Sequence, residues 1–170
     1  MIEVRIGELA DARESALLRP IDANWGAVTP ATRRLELAAG PALADQCRRL
    51  GELPVGSAVI TGAGELAAEF MVHVVVRSID EPVSPAGVRR GLVNGLRRLA
   101  EWGIESVAMP PLGTGAGNLD AEESARVMIP VIREHQLASA RPLRVVIVVE
   151  SDYELEVFRR IIADSSPRAG

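Results

Sequence analysis

The stretch SVAMPPLGTGAGNLDAEESAR, residues 106–126, decides how the chain is read. Residues 106–109 are short and apolar, as a buried strand is. Pro110 and Pro111 end it, and Gly113, Gly115 and Gly117 follow at alternate positions. Asp120 is a good helix N-cap, with Glu122 and Glu123 in the first turn and apolar residues at helical spacing beyond. Glycines at alternate positions let the backbone adopt positive φ and present its N–H groups to a ligand. The helix N-terminus behind such a loop favours an anion, so the segment predicts a phosphate site to which Thr114 adds a hydroxyl. The plainer reading is a loop whose glycines only turn the chain.

Outward from that loop, strands and helices alternate. Residues 2–6 alternate apolar and polar, as a half-exposed strand does. Residues 15–21 read as a buried strand, followed by a loop of turn formers over 22–29. Thr29-Pro30 opens a helix over 31–39. Gly40-Pro41 separates it from a second helix, 42–50, which carries Cys47. Strands are expected at 55–61 and 70–76, and a helix capped by Ser84 extends to Trp102. Its Arg89, Arg90, Arg97 and Arg98 read as a solvated face. After the glycine loop, the helix from Asp120 to about 137 should kink at Pro130. The valine-rich run 144–149 suits a strand covered on both faces. Ser151 caps a last helix to about 163, leaving 164–170 as a flexible tail. This is an α/β chain with a largely parallel sheet between helical layers, one domain over residues 1–163.

Composition narrows the function. A chain of 170 residues, 48% hydrophobic, has ample core for one domain. A net charge of −4 and 3% aromatic residues argue against a nucleic-acid surface with stacking platforms. All 19 basic residues are arginine, so no lysine nucleophile is available. With one cysteine and two histidines at unrelated positions, no metal site is expected, and no cofactor. His73 reads as a satisfied structural histidine in its strand, His135 as a solvated one, and Cys47 as a buried inert thiol. The lone cysteine fits a reducing cytoplasm, and neither a signal peptide nor a membrane-spanning run is evident. A dinucleotide-binding fingerprint fits poorly. The loop reads Gly-x-Gly-x-Gly-Asn, and Glu150 lies well beyond the about 20 residues at which that motif places its acidic partner.

Three anchors together resemble the macro domain, the ADP-ribose-binding module: AAGP at 38–41, FMVH at 70–73 and MPPLGTGAGN at 109–118. Their order and separations match the family over residues 2–162. The resemblance implies a three-layer α/β/α fold with a mixed six-stranded sheet. It also implies that the loop Leu112, Gly113, Thr114, Gly115, Ala116, Gly117 and Asn118 wraps the diphosphate of ADP-ribose or a related nucleotide, free or on an ADP-ribosylated protein. Departures fall in the first loop. Where many relatives have Asn-Ala-Ala-Asn and then a glycine run, this chain has Arg19-Pro20-Ile21-Asp22 and Ala27-Val28-Thr29-Pro30. Glu8 stands where relatives use an aspartate to read adenine, and Val149-Glu150 offer no stacking aromatic. The implied function is therefore a binding module with little or no catalysis. The alternatives are an ADP-ribosyl hydrolase or phosphatase with Asp22 as general base, and a degenerate macro fold that binds proteins. Asp22 is expected to turn its loop, and Arg19 is the candidate to neutralise it.

Overall fold

The computed structural model describes residues 1–166. Its sheet contains β1 (Ile2–Ile6), β2 (Ala16–Asp22), β3 (Ala58–Gly62), β4 (Phe70–Arg77), β5 (Ser106–Met109) and β6 (Arg144–Val149). The spatial order is β1-β6-β5-β2-β4-β3, parallel throughout except for β3, which runs antiparallel to β4 at the edge. The helices are α1 (Pro30–Ala39), α2 (Pro41–Arg48), α3 (Pro85–Glu101), α4 (Ala121–Ala138) and α5 (Asp152–Asp164), with a short 3-10 turn at Leu9–Asp11. The three-layer arrangement follows from side-chain alternation along the buried strands. Val72, Val74 and Val76 of β4 face a core shared with Leu92 and Leu96 of α3, Met128 of α4 and Phe158 of α5. Met71 and Val75 point the other way, toward Leu35 of α1 and Leu43 and Cys47 of α2. A strand covered on both sides favours apolar residues throughout, which is why β6 reads as a valine-rich run and β4 as one interrupted by the buried His73.

The helix caps are those the sequence marks. Thr29 accepts from the Thr32 N–H, Ser84 from Gly87, Asp120 from Glu123 and Ser151 from Glu154. Several boundaries differ from expectation. The edge strand starts at Ala58 because Pro54 and Gly56 form a turn first, with Gly56 at φ 93° and its N–H given to the Val75 carbonyl. Pro130, where a kink is expected, lies inside α4, which runs on to Ala138. The proline and Arg126, whose carbonyl loses its donor, both lie on the exposed side, where water can serve that oxygen. His135 is half-buried rather than solvated, its ring bonded to the Arg141 carbonyl at 2.8 Å. At the chain's end, Arg133 reaches Ser165 Oγ at 2.8 Å, so the expected tail does not begin at 164. The rest of that tail, 167–170, lies outside the described residues.

Candidate functional site

A cleft of about 60 Å³ opens at the carboxyl ends of four parallel strands, the usual ligand position in open α/β sheets. Gly7 and Leu9 after β1, Val148 and Glu150 at the end of β6, Pro110, Pro111 and Thr114 after β5, and Thr29 and Ala31 after β2 line it, with Glu154 of α5.

The glycine loop forms one wall. Gly113, Gly115 and Gly117 all have positive φ, at 79°, 128° and 77°. Leu112 donates its N–H to Met128 Sδ, Asn118 to the Gly115 carbonyl and Leu119 to the Gly113 carbonyl. The N–H groups of Thr114, Ala116 and Gly117 find no hydrogen-bond acceptor among the described residues. A half-exposed loop with unspent donors on a rigid base suits an anion. Gly113 has a separate duty. A Cβ there would lie 2.6 Å from Val88 Cγ2, so only glycine lets the loop seat on α3.

The helix behind the loop is less available than its sequence suggests. Asp120 accepts from the Glu123 N–H at 2.8 Å, and the Glu123 carboxylate reaches back to the Asp120 N–H at 3.4 Å. That capping box satisfies the Asp120 and Glu123 amides, and two glutamates in the first turn place negative charge at the positive end of α4, while the amides of Ala121 and Glu122 keep no acceptor among the described residues. The unspent amides therefore lie both in the loop, at Thr114, Ala116 and Gly117, and in the first turn of α4. The Thr114 hydroxyl is turned inward to the Pro111 carbonyl at 3.3 Å.

The first loop is closed on itself. Asp22 Oδ1 accepts from the N–H of Asn24 at 2.8 Å and of Gly26 at 2.9 Å. The Asp22 N–H donates to the Gly26 carbonyl and the Trp25 N–H to the Asp22 carbonyl. Asp22 is thus a turn former, as expected. Trp25 is held at φ 70° and buried, its indole N–H bonded to the Gly51 carbonyl. Thr29 and Thr32 lock the start of α1 reciprocally.

Arg19 does not meet Asp22. It shares a strand face with Leu17 and Ile21 and is buried beneath α1 and α2. Its Nε donates to His73 Nδ1 at 2.9 Å, and its guanidinium lies 3.7 Å from Glu36. Three residues apart on a strand is an odd separation, so the two side chains leave from opposite faces. His73 Nε2 pairs with Thr61 Oγ1 at 2.7 Å, and Trp25 packs edge-on against its ring. Burial, and then the charge of Arg19, hold the His73 pKa well below its ordinary value, so the ring is neutral. Burial likewise pushes the Cys47 thiol up, which keeps it unreactive.

Glu8 lies between Gly7 and Leu9, which line the cleft, and is engaged. Arg34 donates its Nε to Glu8 Oε1 at 3.0 Å, and its Nη2 bonds Glu150. Arg34 and Glu154 were not singled out in the sequence, and Glu150 was named there only as lacking a stacking ring and as too distant for a dinucleotide fingerprint. The available signal was helical spacing, since Arg34 lies three residues after Ala31 and shares its face.

A family model for the Macro domain matches residues 31–128, beginning directly after the first loop. A macro domain-containing protein of Caldanaerobacter subterraneus is 26% identical, covering 91% of this chain and 88% of that one. The O-acetyl-ADP-ribose deacetylase of Escherichia coli is 32% identical and covers 74% of each. Among solved structures, the Oceanobacillus iheyensis macrodomain with ADP superposes with a TM-score of 0.85 at 18% identity, covering 96% of this chain and 90% of that one. The Trypanosoma brucei macrodomain in complex with ADP-ribose gives 0.85 at 16% identity, covering 95% and 68%.

Proposed function

This chain belongs to the macro domain family, and from that premise we propose that it binds ADP-ribose or a related nucleoside diphosphate through the loop 112–118. One observation carries the reading. The loop holds three glycines at positive φ and keeps amide donors unspent beside a cleft at the strands' carboxyl ends. Backbone amides recognise a diphosphate by geometry and partial charge, so a chain without lysine can do it. Macrodomains of similar fold take ADP and ADP-ribose, which fits the same ligand class here. The molecule is a reader of that nucleotide, free or on a modified protein, with little or no turnover. A reducing compartment suits its buried free thiol.

A second reading, hydrolysis, is favoured by the likeness to a deacetylase. A general base must reach the water it activates. Asp22, the candidate, spends Oδ1 on two amides of its own turn. A water misplaced by about 1 Å can cost a hundredfold in rate. The test is calorimetric titration with ADP-ribose, ADP, NAD and phosphate, followed by release of ADP-ribose from a modified protein. The expected result is binding without appreciable release by wild type, Asp22→Ala or Asp22→Asn. Robust release that is lost in Asp22→Asn, which keeps the turn's acceptor, would make Asp22 the base and overturn the reader assignment.

A further inference from the structure

The cleft is too small for the ligand class assigned to it. At about 60 Å³ it falls well below the 300–1,000 Å³ over which pockets for drug-sized ligands run. A nucleotide needs more room than that, and a side-chain bridge joins two of the cleft's walls. Gly7 and Leu9 follow β1, Glu150 follows β6, and Ala31 lies on α1, and all four line the cleft. Arg34, one turn beyond Ala31, ties these walls together by donating to Glu8 beside Gly7 and to Glu150 across the mouth. The hydrogen bond to Glu8 and the charge of Glu150 raise the pKa of Arg34, so its guanidinium stays charged. Among the described residues no ion pair joins the wall formed by Pro110, Pro111 and Thr114 to the others.

We propose that Arg34 is a latch over the base end of the cleft, whose bonds to Glu8 and Glu150 must part before the base enters. The proposal rests on the nucleotide-binding reading above. The latch also sets specificity. While it is closed, Glu8 is occupied by the protein's own guanidinium, and a base whose amino group can replace that donor opens the site at least cost. Adenine has such a group, whereas a base-free sugar phosphate does not.

Removing the latch has a distinctive sign. Deleting a cation near an anionic ligand should weaken binding on electrostatic grounds alone. A latch predicts the reverse, because the apparent affinity of a site is reduced by the fraction of molecules that are closed. The experiment is calorimetric titration of ADP-ribose into wild type, Arg34→Ala and Glu150→Gln. Arg34 and Glu150 are half-exposed, so both variants should fold, and thermal melting checks this. Arg34→Ala is expected to tighten binding by about threefold to tenfold, and Glu150→Gln, which keeps an acceptor but removes the charge from one of the two bonds, by a smaller factor. Unchanged or weaker binding in Arg34→Ala, with wild type binding measurably, overturns the latch and leaves the nucleotide reading standing. Loss of affinity in Glu150→Gln also overturns it. If neither wild type nor Arg34→Ala binds ADP-ribose, the nucleotide reading fails and the latch with it.

Discussion

In the loop after β5, the amides of Thr114, Ala116 and Gly117 are left without protein acceptors, while in the loop after β2 Asp22 gathers the amides of Asn24 and Gly26 onto its own carboxylate. The two loops leave the carboxyl ends of adjacent parallel strands, so both border the same cleft. They also meet, since a Cβ on Gly115 would lie 3.6 Å from the Val28 carbonyl. The contrast separates two uses of turn chemistry. Glycines supply unusual φ without consuming donors, so the donors remain for a ligand. An aspartate turn consumes them, giving a rigid wall. One loop keeps its amide donors free, and the other spends them on its own shape.

The largest expected effect breaks the receptive loop. Gly115→Val puts a branched side chain at φ 128°, and strain of that kind, with the blocked approach, should cost about tenfold to a hundredfold in ADP-ribose affinity by calorimetry. Unchanged affinity would show that the amides of 112–118 do not hold the diphosphate. Next comes the rigid loop. Asp22→Ala strands two amides and should lower unfolding free energy by about 1–2 kcal/mol in urea titrations, with no loss of ADP-ribose binding. If binding collapses while stability holds, Asp22 belongs to the ligand site and the contrast dissolves.

Beneath the rigid loop, His73 makes stability depend on pH. Its folded pKa is depressed, so the unfolded chain binds the proton more readily. The contribution is complete above about pH 6.5, the unfolded value, and is lost as pH falls below it. Melting temperature should therefore drop between pH 6.5 and 5, before the lowered carboxylates Glu3 and Glu14 titrate. His73→Gln, which keeps an acceptor for Arg19, should flatten that slope. The smallest effect is at Thr114, whose hydroxyl already serves the Pro111 carbonyl. Thr114→Ala should weaken ADP-ribose by no more than about 1 kcal/mol, and a larger loss would show that the side chain turns to meet the ligand.

Legibility in the sequence followed the range of the interactions. The caps Thr29, Ser84, Asp120 and Ser151 were readable because a cap and its partner lie within one turn. The valine-rich runs of β4 and β6 were readable because double coverage favours apolar residues. The macro domain resemblance rested on the glycine loop, whose geometry is equally local. What escaped reading was long-range. Arg34 meets Glu150 across 116 residues and Arg19 meets His73 across 54, and no spacing in the chain foretells either pair. The expected Arg19–Asp22 pair fails on strand alternation, a rule available from the start. The cap at Asp120 was readable too, but not that it would spend the Glu123 amide and so leave fewer donors at that helix end.

The central claim is that backbone amides of the glycine loop receive a diphosphate, and amide-resolved NMR titration of the wild-type protein with ADP-ribose tests it most directly. The predicted result is saturable one-to-one shifts, largest at the amides of Thr114, Gly115, Ala116 and Gly117, with smaller changes at Gly7 and Glu8 and little movement across residues 22–26. Saturable shifts centred on residues 22–26, or none in the loop at millimolar ADP-ribose, would contradict the account.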